Sequence, residues 1–305
     1  MSSFNKKGEI QFVKNNLNTH YGLEYKPKIL NIKQQYYLSI VAIFKNESWI
    51  LKEWIEHYLN QGVDHFFLID NGSTDNYITI LQPYIDNKQV SLVKDPKRFS
   101  QKGHYNKYIL PIKNISEWFL VCDLDEFVYA RKMFKTIPEY LKSLHETVGN
   151  VLIPWKNFGS SGHIQHPKDG VVKNFTKRQH YLKLTQNYVK TIVRSKFLIN
   201  FEVHVQQCDK RFIRIRTDNK IIDNKLSTSL LKIDENILNN LFLHINHYQI
   251  QSAEFFEKIK MTRGDVSTEK KNNLRDMNYF KRYDKNTNKF VDTELKDIQQ
   301  NYSNN

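Results

Sequence analysis

The fold is decided by WFLVCDLDEF, residues 118–127, an apolar run of strand length that ends abruptly in acidic residues. This pattern predicts a buried β-strand followed by a polar turn. Asp123 and Asp125 are two positions apart, so in an extended segment both carboxylates lie on one face. Paired carboxylate oxygens suit a hard divalent cation such as Mg²⁺ or Mn²⁺. A polar turn after a core strand is the simpler explanation of an isolated Asp-x-Asp pair. The choice between a metal site and a turn therefore depends on the other motifs of the chain.

Upstream of this stretch, strand-like and helix-like segments alternate. Alternation of this kind predicts right-handed βαβ crossovers, and therefore an α/β fold with a mostly parallel, Rossmann-like sheet and helices on both faces. The predicted strands are 36–44, 65–69 and 90–93; two predicted helices follow Asn46 and Ser73 or Thr74, and a third spans residues 101–115. Proline at 83 is expected to kink or end the second helix, and Pro111 to interrupt the third.

Downstream the pattern loosens into a mixed region. Residues 136–146 and 252–263 suggest helices, 151–155 a strand, and 171–216 half-buried strands of a smaller mixed β extension. The sequence has no internal repeat or low-complexity linker, so residues 36–265 are interpreted as one domain. Residues 1–35 form a polar lead-in, and residues 266–305 mix charges of both signs and suggest a charged C-terminal helix or tail.

The composition limits the partners and the compartment. The net charge is +14, and eight Lys or Arg residues between 168 and 196 face a single acid, Asp169. A field of this sign attracts phosphates of nucleotides, nucleic acid or anionic membrane lipids, although a solvated basic face would look the same. Two cysteines give no disulfide framework. No apolar run has the length of a membrane span and the N-terminus lacks a signal-peptide core, so the chain is expected to be cytoplasmic, with peripheral contact to an anionic membrane as a further expectation.

Polar residues follow three of the predicted strands at the point where each strand ends. Because ligands of open parallel sheets bind beyond the carboxyl ends of the strands, these residues are expected to share one crevice. Asp70 is placed to accept hydrogen bonds from a ribose or base, and a helix starting near Ser73 would point its N–H groups into the crevice. A simple helix cap is the alternative role of Asn46. The residues of the three strand ends are Lys45, Asn46, Glu47, Asp70, Asn71, Ser73, Asp123 and Asp125.

These strand ends resemble glycosyltransferases of the family 2 type, and the downstream motifs resemble the related family 92. The motifs are FKNE at 44–47, IDNGSTDN at 69–76, DLDEF at 123–127, WKNFGSSGH at 155–163, KTIVR at 190–194, Val203-His204, His247-Tyr248 and Arg263-Gly264. The resemblance spans residues 36–265. It implies the A-type glycosyltransferase fold, with a nucleotide-binding half at 36–130 and an acceptor half at 131–265. It also implies metal-dependent, inverting transfer of a sugar from a nucleotide-sugar, UDP-linked by expectation, to a glycan, glycolipid or glycoprotein.

The resemblance also implies roles for individual residues. Asp123 and Asp125 match the position that holds the metal, Mn²⁺ or Mg²⁺, against the donor phosphates. His247 is favoured over His204 as the third metal ligand, whereas His244 is expected in the core. Lys45, Asn46, Glu47, Asp70, Asn71, Ser73 and Lys102 match the nucleotide pocket, and Glu126 would support the metal site or lie in a solvated turn.

The sequence offers two candidates for the general base. Inversion needs a group that takes the proton of the acceptor hydroxyl. The acceptor-side Glu-Asp pair that supplies this base in family 2 is missing from the sequence. Asp169 and His163 are therefore the candidate catalytic bases. Lys190 and Arg194 are expected to contact a phosphate or an anionic acceptor, or else to protect a strand edge.

Two other functions fit parts of the sequence. An acid pair on a basic surface also suits a metal-dependent enzyme of phosphoryl transfer on nucleic acid. The aromatic and basic residues form no recognised nucleic-acid module, however, which makes nucleic acid an unlikely partner. A non-catalytic sugar- or lipid-binding protein is the other alternative, and the intact acid pair argues against it.

Overall fold

A ten-stranded sheet forms the centre of the molecule. The computed structural model describes residues 28–209, 211–223, 229–263 and 275–303, together with two short strand pieces at 3–4 and 10–11, so most of the predicted lead-in lies outside the described residues. The strands of the sheet are β1 (Tyr36–Phe44), β2 (His65–Asp70), β3 (Val90–Lys94), β4 (Ser116–Val121), β5 (Glu126–Ala130), β6 (Val148–Asn157), β7 (Thr185–Arg194), β8 (Ile213–Arg216), β9 (Leu230–Ile233) and β10 (Leu243–His247). The helices are α1 (Ser48–Asn60), α2 (Tyr77–Asp86), α3 (Gln101–Tyr108), α4 (Ile137–Lys142), α5 (Val171–Asn174), α6 (Glu235–Asn240), α7 (Ala253–Lys258), α8 (Met277–Thr287) and α9 (Glu294–Ser303).

The sheet has a parallel half and a mixed half. Its order is β3-β2-β1-β4-β7-β6-β10-β5, with β8 also paired to β6 and β9 to β7. The first four strands are parallel, whereas β7 runs antiparallel between β4 and β6. The predicted α/β sheet with a mixed β extension is therefore confirmed.

Strand β1 explains why helices cover both faces of the parallel half. Successive side chains of a strand point to opposite faces. Leu38, Ile40 and Ala42 join the core cluster that includes residues of α1 and α2. Val41 and Ile43 join a second cluster with residues of α3 and the 3₁₀ turn 110–115. Burial of both apolar faces is the main stabilising force on this half of the sheet.

Two helix starts differ from the sequence prediction. Helix α2 begins at Tyr77 instead of after Ser73 or Thr74, because the Asp70 carboxylate accepts hydrogen bonds from the Ser73 N–H (2.8 Å) and the Tyr77 hydroxyl (2.9 Å), which shape the intervening turn. The same helix continues through Pro83 to Asp86, so the proline does not end it. Helix α1 begins at Ser48, with Glu47 instead of Asn46 at the cap position.

The described C-terminal residues pack against the rest of the fold. Helices α8 and α9 bury Phe280 and Leu295. Charged side chains at residues 292 and 294 reach back to the sheet: the ammonium of Lys156 lies 2.9 Å from Asp292, and Arg178 Nε lies 2.6 Å from the same carboxylate. We call Lys156, Arg178, Asp292 and Glu294 the C-terminal network. The charged character of this region therefore reflects buried ion pairs as well as a solvated surface.

The basic stretch at 168–196 does not form one continuous surface. Arg178 and Lys190 are buried, and Arg194 is almost so. Arg194 stacks on the Trp118 ring (4.4 Å) and pairs with Glu117 at 3.2 Å. Its strand β7 lies inside the sheet, so the strand-edge role considered for Lys190 and Arg194 is wrong. Within the described part of the chain, no helix has both the length and the apolar character of a membrane span.

Candidate functional site

A cleft opens at the carboxyl ends of the parallel strands. It receives residues from all three polar strand ends: Lys45 and Glu47 after β1, Asn71 after β2, and Asp123 and Asp125 after β4. The predicted convergence of separate strand ends is therefore present in the structure. Other lining residues come from distant segments, namely Gln101, Trp155, Val203, His204, His247, Gln249, Lys260, Arg263 and Arg275.

The loops after β1 and β2 are tied to each other at the rim of the cleft. The backbone N–H of Asn46 donates to the Ser73 hydroxyl (3.0 Å), and the Asn46 side-chain oxygen accepts from the N–H of Thr74 (2.8 Å). The N–H of Ser48 donates to Asp75 at 2.8 Å. Asn46 therefore cross-links two loops, and it is not the helix cap, because Glu47 takes that position.

The polar groups at the end of β2 are also used within the protein. Asp70 is buried and, with both carboxylate oxygens hydrogen-bonded as described above, does not line the cleft. Asn71 does line it, but its side-chain amide donates to the carbonyls of Asp95 and Lys97, both at 2.8 Å. These residues shape the cleft edge, and the structure does not present the Asp70 carboxylate to a ribose.

Asp123 is paired with a fully buried lysine. The ammonium of Lys190 lies 2.8 Å from Asp123 Oδ2 and 3.6 Å from Glu126. Burial raises the pKa of Asp123, but the neighbouring Lys190 overcomes this and holds the pKa below its ordinary value. Glu126 is completely buried, and burial raises its pKa well above the ordinary value. Lys190 is therefore occupied by the protein's own carboxylates and not exposed to a phosphate or acceptor.

Asp125 belongs to a second group of charges, which we call the cleft network: Glu47, Asp125, Lys260 and Arg263. The ammonium of Lys260 lies 2.6 Å from Asp125 Oδ2 and 3.7 Å from Glu47. The Arg263 guanidinium donates to Glu47 and to the carbonyl of Lys45. Burial raises the pKa of Asp125, but Lys260 and then His247 outweigh it and hold the pKa well below the usual range.

These contacts occupy the oxygen atoms of the predicted divalent-cation site. Asp125 Oδ2 and Asp123 Oδ2 already accept from lysine ammonium groups, and Asp123 Oδ1 accepts from the Gln101 amide at 3.2 Å. A cation on these oxygens would lie close to an ammonium, and like unit charges about 4 Å apart repel by about 4 kcal/mol in a protein-like dielectric. Among the described residues, no group of three His, Cys, Asp or Glu side chains is arranged to hold a metal. The arrangement of side chains does not fit Mn²⁺ or Mg²⁺.

His247 and His204 both line the cleft, whereas His244 lies in the core, as the sequence predicts. His247 is buried at the cleft with its Nε2 3.6 Å from Asp125 Oδ1, and burial lowers its pKa to about 4. His204 also lines the cleft, and both rings lie against Trp155, with centroid distances of 4.0 Å for His247 and 5.5 Å for His204. His244 is a core residue bonded to Glu294 and to the Leu238 carbonyl.

The two candidate bases and Lys102 lie away from the cleft. Asp169 is exposed, pairs with Lys173 at 2.6 Å and lines a separate pocket beside α1. His163 packs its ring on Phe175, 5.3 Å between centroids, and its Nε2 lies 3.2 Å from the carbonyl of Asn174. Lys102 pairs with Glu202 at 2.5 Å. None of the three is among the cleft-lining residues.

The comparison with protein families decides the assignment. Residues 34–305 match the model of glycosyltransferase family 92. The chain belongs to this family. The predicted resemblance is thereby confirmed, and the match extends past residue 265 into the C-terminal helices.

Curated relatives in family 92 are distant and longer. A family 92 protein of Ricinus communis is 25% identical over 225 residues, which cover 72% of this chain and 37% of the relative. A family 92 protein of Arabidopsis thaliana is 27% identical over 194 residues, 60% of this chain and 33% of the relative. The chain thus spans about a third of the length of the curated relatives that it matches.

Solved structures give weaker matches to this family 92 chain. TarS 1-349 of S. aureus in complex with UDP-GlcNAc has a TM-score of 0.34 and 14% identity, covering 53% of this chain and 46% of TarS. Glucosyl-3-phosphoglycerate synthase of Mycobacterium tuberculosis in complex with Mn²⁺ and UDP-glucose has a TM-score of 0.27 and 17% identity, covering 42% of this chain and 45% of that one. At such TM-scores these similarities assign no residue roles here.

Sequence reasoning missed several residues of the family 92 cleft. Lys260, Arg275, Gln101 and Gln249 reach the cleft from segments far from the strand ends. No local pattern marks Lys260, because its importance comes from its contact with a residue 135 positions earlier. Arg263, in contrast, belongs to one of the motifs that carry the family resemblance, as do Trp155, His204 and His247.

Proposed function

We propose that the chain is a glycosyltransferase that moves a sugar from a UDP-linked nucleotide-sugar to a hydroxyl of a glycan, glycolipid or glycoprotein. The observation that carries the proposal is the convergence of Lys45, Glu47, Asn71, Asp123 and Asp125 on one cleft at the carboxyl ends of parallel strands. Ligands of open α/β sheets bind at this position. Membership of family 92 supports the same reaction class.

The proposed chemistry is a single displacement with inversion. The oxygen of the acceptor hydroxyl forms a bond to the anomeric carbon, while the bond from that carbon to the donor phosphate oxygen breaks. The departing nucleoside diphosphate keeps the electron pair, and the hydroxyl proton passes to a general base. Asp169 and His163 were predicted for this step, but neither lines the cleft. The proton acceptor is therefore expected among the groups that line the cleft.

Stabilisation of the departing diphosphate is the main electrostatic demand of this reaction. The sequence predicts Mn²⁺ or Mg²⁺ for this purpose, and the described contacts do not fit either ion. Cationic side chains are present at the same place: Lys45, Lys260, Arg263 and Arg275 line the cleft. The proposal therefore relies on no metal-bound step.

A donor screen tests the proposal. The chain is incubated with a panel of UDP-, GDP- and dTDP-sugars, with and without Mn²⁺, and the released nucleoside diphosphate is measured. We expect release from a UDP-sugar and loss of that release in Asp123→Asn, whose folding is checked by its melting temperature. Asp123→Asn keeps the side-chain shape and the hydrogen bond to Gln101 but removes the charge opposite Lys190.

A different outcome would reject the proposal. If no donor in the panel is turned over or bound, while single-stranded DNA raises the melting temperature, the nucleic-acid alternative gains and the transferase assignment fails. If UDP-sugars bind without turnover under every condition, the non-catalytic binding protein is favoured instead.

A further inference from the structure

The cleft acids are neutralised by lysines at the position where a metal was predicted. Lys260 is largely buried and its ammonium lies 2.6 Å from Asp125 Oδ2. Asp123 is matched by Lys190 at 2.8 Å. Each carboxylate of the Asp-x-Asp pair therefore has its own fixed cation, supplied by a different element of the fold.

Lys260 and Arg263 also face the cleft. Both are lining residues, together with Lys45 and Arg275. An ammonium carries three N–H donors, and among the described contacts of Lys260 only the one to Asp125 is a hydrogen bond, since Glu47 lies 3.7 Å away. Lys260 thus has donors left for an anionic group in the cleft while it remains paired with Asp125.

The charge balance of the cleft fits an anion. The acids of the cleft and its floor are Glu47, Asp123, Asp125 and Glu126, four in number. Five cationic side chains face them: Lys45, Lys190, Lys260, Arg263 and Arg275. Because the cationic side chains outnumber the carboxylates, the cleft attracts a diphosphate more readily than a metal cation.

We infer that Lys260, supported by Arg263, binds the donor diphosphate directly and does so without a divalent cation. The inference rests on the proposed function and specifies how the donor is held. In the transfer step the Lys260 ammonium donates hydrogen bonds to the departing diphosphate as the bond to the anomeric carbon breaks. Asp125 holds the ammonium in place, so it is a positioning residue.

Calorimetric titration of the full chain with UDP, GDP and dTDP tests this in two arms, one with excess EDTA and one with Mn²⁺. We expect UDP to bind in EDTA, with a dissociation constant that Mn²⁺ changes by less than about threefold. Lys260→Met should weaken UDP binding by about tenfold or more, as expected for loss of a charged hydrogen bond, and Lys260→Arg should restore most of it.

Lys258→Met is the matched control. Lys258 lies two positions earlier, is exposed and pairs only with Glu254 among the described residues, at 2.6 Å. It should bind UDP like the unmodified chain. The EDTA arm uses the unmodified chain, so the inference stays testable even if Lys260→Met does not fold.

Two results overturn the inference, and they differ from failure of the proposed function. UDP binding that appears only with Mn²⁺ would assign the diphosphate to a metal, and Lys260→Met binding as tightly as Lys258→Met would exclude a direct contact; in both cases the transferase proposal stands. Absence of binding for all three nucleotides in both arms would reject the proposed function and this inference together.

Discussion

The cleft network and the C-terminal network have the same chemistry but different surroundings. Each has a lysine close to an aspartate, 2.6 Å for Lys260 and Asp125 and 2.9 Å for Lys156 and Asp292. The first lines an open cleft, whereas Lys156 lies under the segment that joins α8 to α9 and is completely buried. Ion pairing alone therefore does not distinguish a functional cluster from a structural one.

The two networks differ in how fully their polar atoms are used. In the C-terminal network, Lys156 also donates to the Tyr129 hydroxyl (2.7 Å), which in turn donates to Glu294 (2.7 Å). In the cleft network, Glu47 Oε2 has no hydrogen-bond partner among the described residues, and neither has Nδ1 of the adjacent His247. Unused buried polar atoms are rare in native proteins. Among the described residues, no buried side-chain nitrogen or oxygen of the C-terminal network lacks a hydrogen bond, whereas the cleft network keeps unpaired buried atoms.

The largest expected effect is on the stability of the C-terminal network. Lys156→Met leaves Asp292 and Glu294 buried with fewer counter-charges, and removal of one partner of a buried pair costs about 3–5 kcal/mol of unfolding free energy. Urea denaturation measures the loss. Lys260→Met is the comparison and should cost less, because water enters its cleft. Equal losses in the two variants would remove the distinction between the networks.

Activity should depend more on the cleft network than on the C-terminal network. Asp125→Ala releases Lys260 from its position, and we expect release of the nucleoside diphosphate to fall by about 100-fold or more. Its melting temperature should change little. Asp292→Ala is the control, with a lowered melting temperature but a nearly normal rate per folded molecule. An active Asp125→Ala would contradict the role given to the cleft network.

For each side chain involved, a smaller effect is expected from pH. Burial lowers the pKa of His57, His244 and His247 to about 4, whereas in the unfolded chain the pKa of a histidine is near its ordinary value of about 6.5. Between these values the unfolded state binds more protons, so stability falls as the pH drops from about 6.5 to about 4, by up to about 3 kcal/mol per histidine. Urea midpoints measured across this range check the slope.

The substitution His57→Gln separates the pH effect from the ion pairs of the two networks. His244 contacts Glu294 of the C-terminal network, whereas His57 lies on the buried face of α1 and bonds the Val128 carbonyl. His57→Gln should therefore flatten the acid slope without affecting the ion pairs of either network. A stability that is constant between pH 7 and pH 5 would show that these histidines are protonated equally in both states.

The smallest expected effect is at Asp169. Asp169→Asn removes an exposed ion pair with Lys173, and exposed pairs of this type contribute little. We expect a transfer rate within about twofold of the unmodified chain. A loss comparable with that of Asp125→Ala would restore Asp169 as the candidate base and would show that the cleft extends beyond its present lining.

The parallel half of the fold could be predicted because its information is local. Apolar runs such as 36–44 and 118–122 have strand length, and polar residues stand where each run ends. A parallel sheet brings such ends to one edge, so the neighbourhood of Asp123, Asp125 and Glu47 followed from topology alone. The domain boundaries and the donor-binding roles remain predictions.

The other features could not be predicted because they depend on contacts between distant segments. The antiparallel insertion of β7 brings Lys190 under Asp123, 67 positions away in sequence. Lys260 reaches Asp125 in the same way from beyond α7. An Asp-x-Asp pair looks identical in sequence whether a metal or a lysine faces it. The metal prediction was therefore the natural one, and the lysines could be recognised only in three dimensions.

The cross-linked loops at the rim have a consequence for ligand entry. Because Asn46 bonds both Ser73 and Thr74, and Ser48 bonds Asp75, the two loops hold each other in place, and we expect a ligand bound at the rim to order them little further. Preorganisation of this kind lowers the entropic cost of binding.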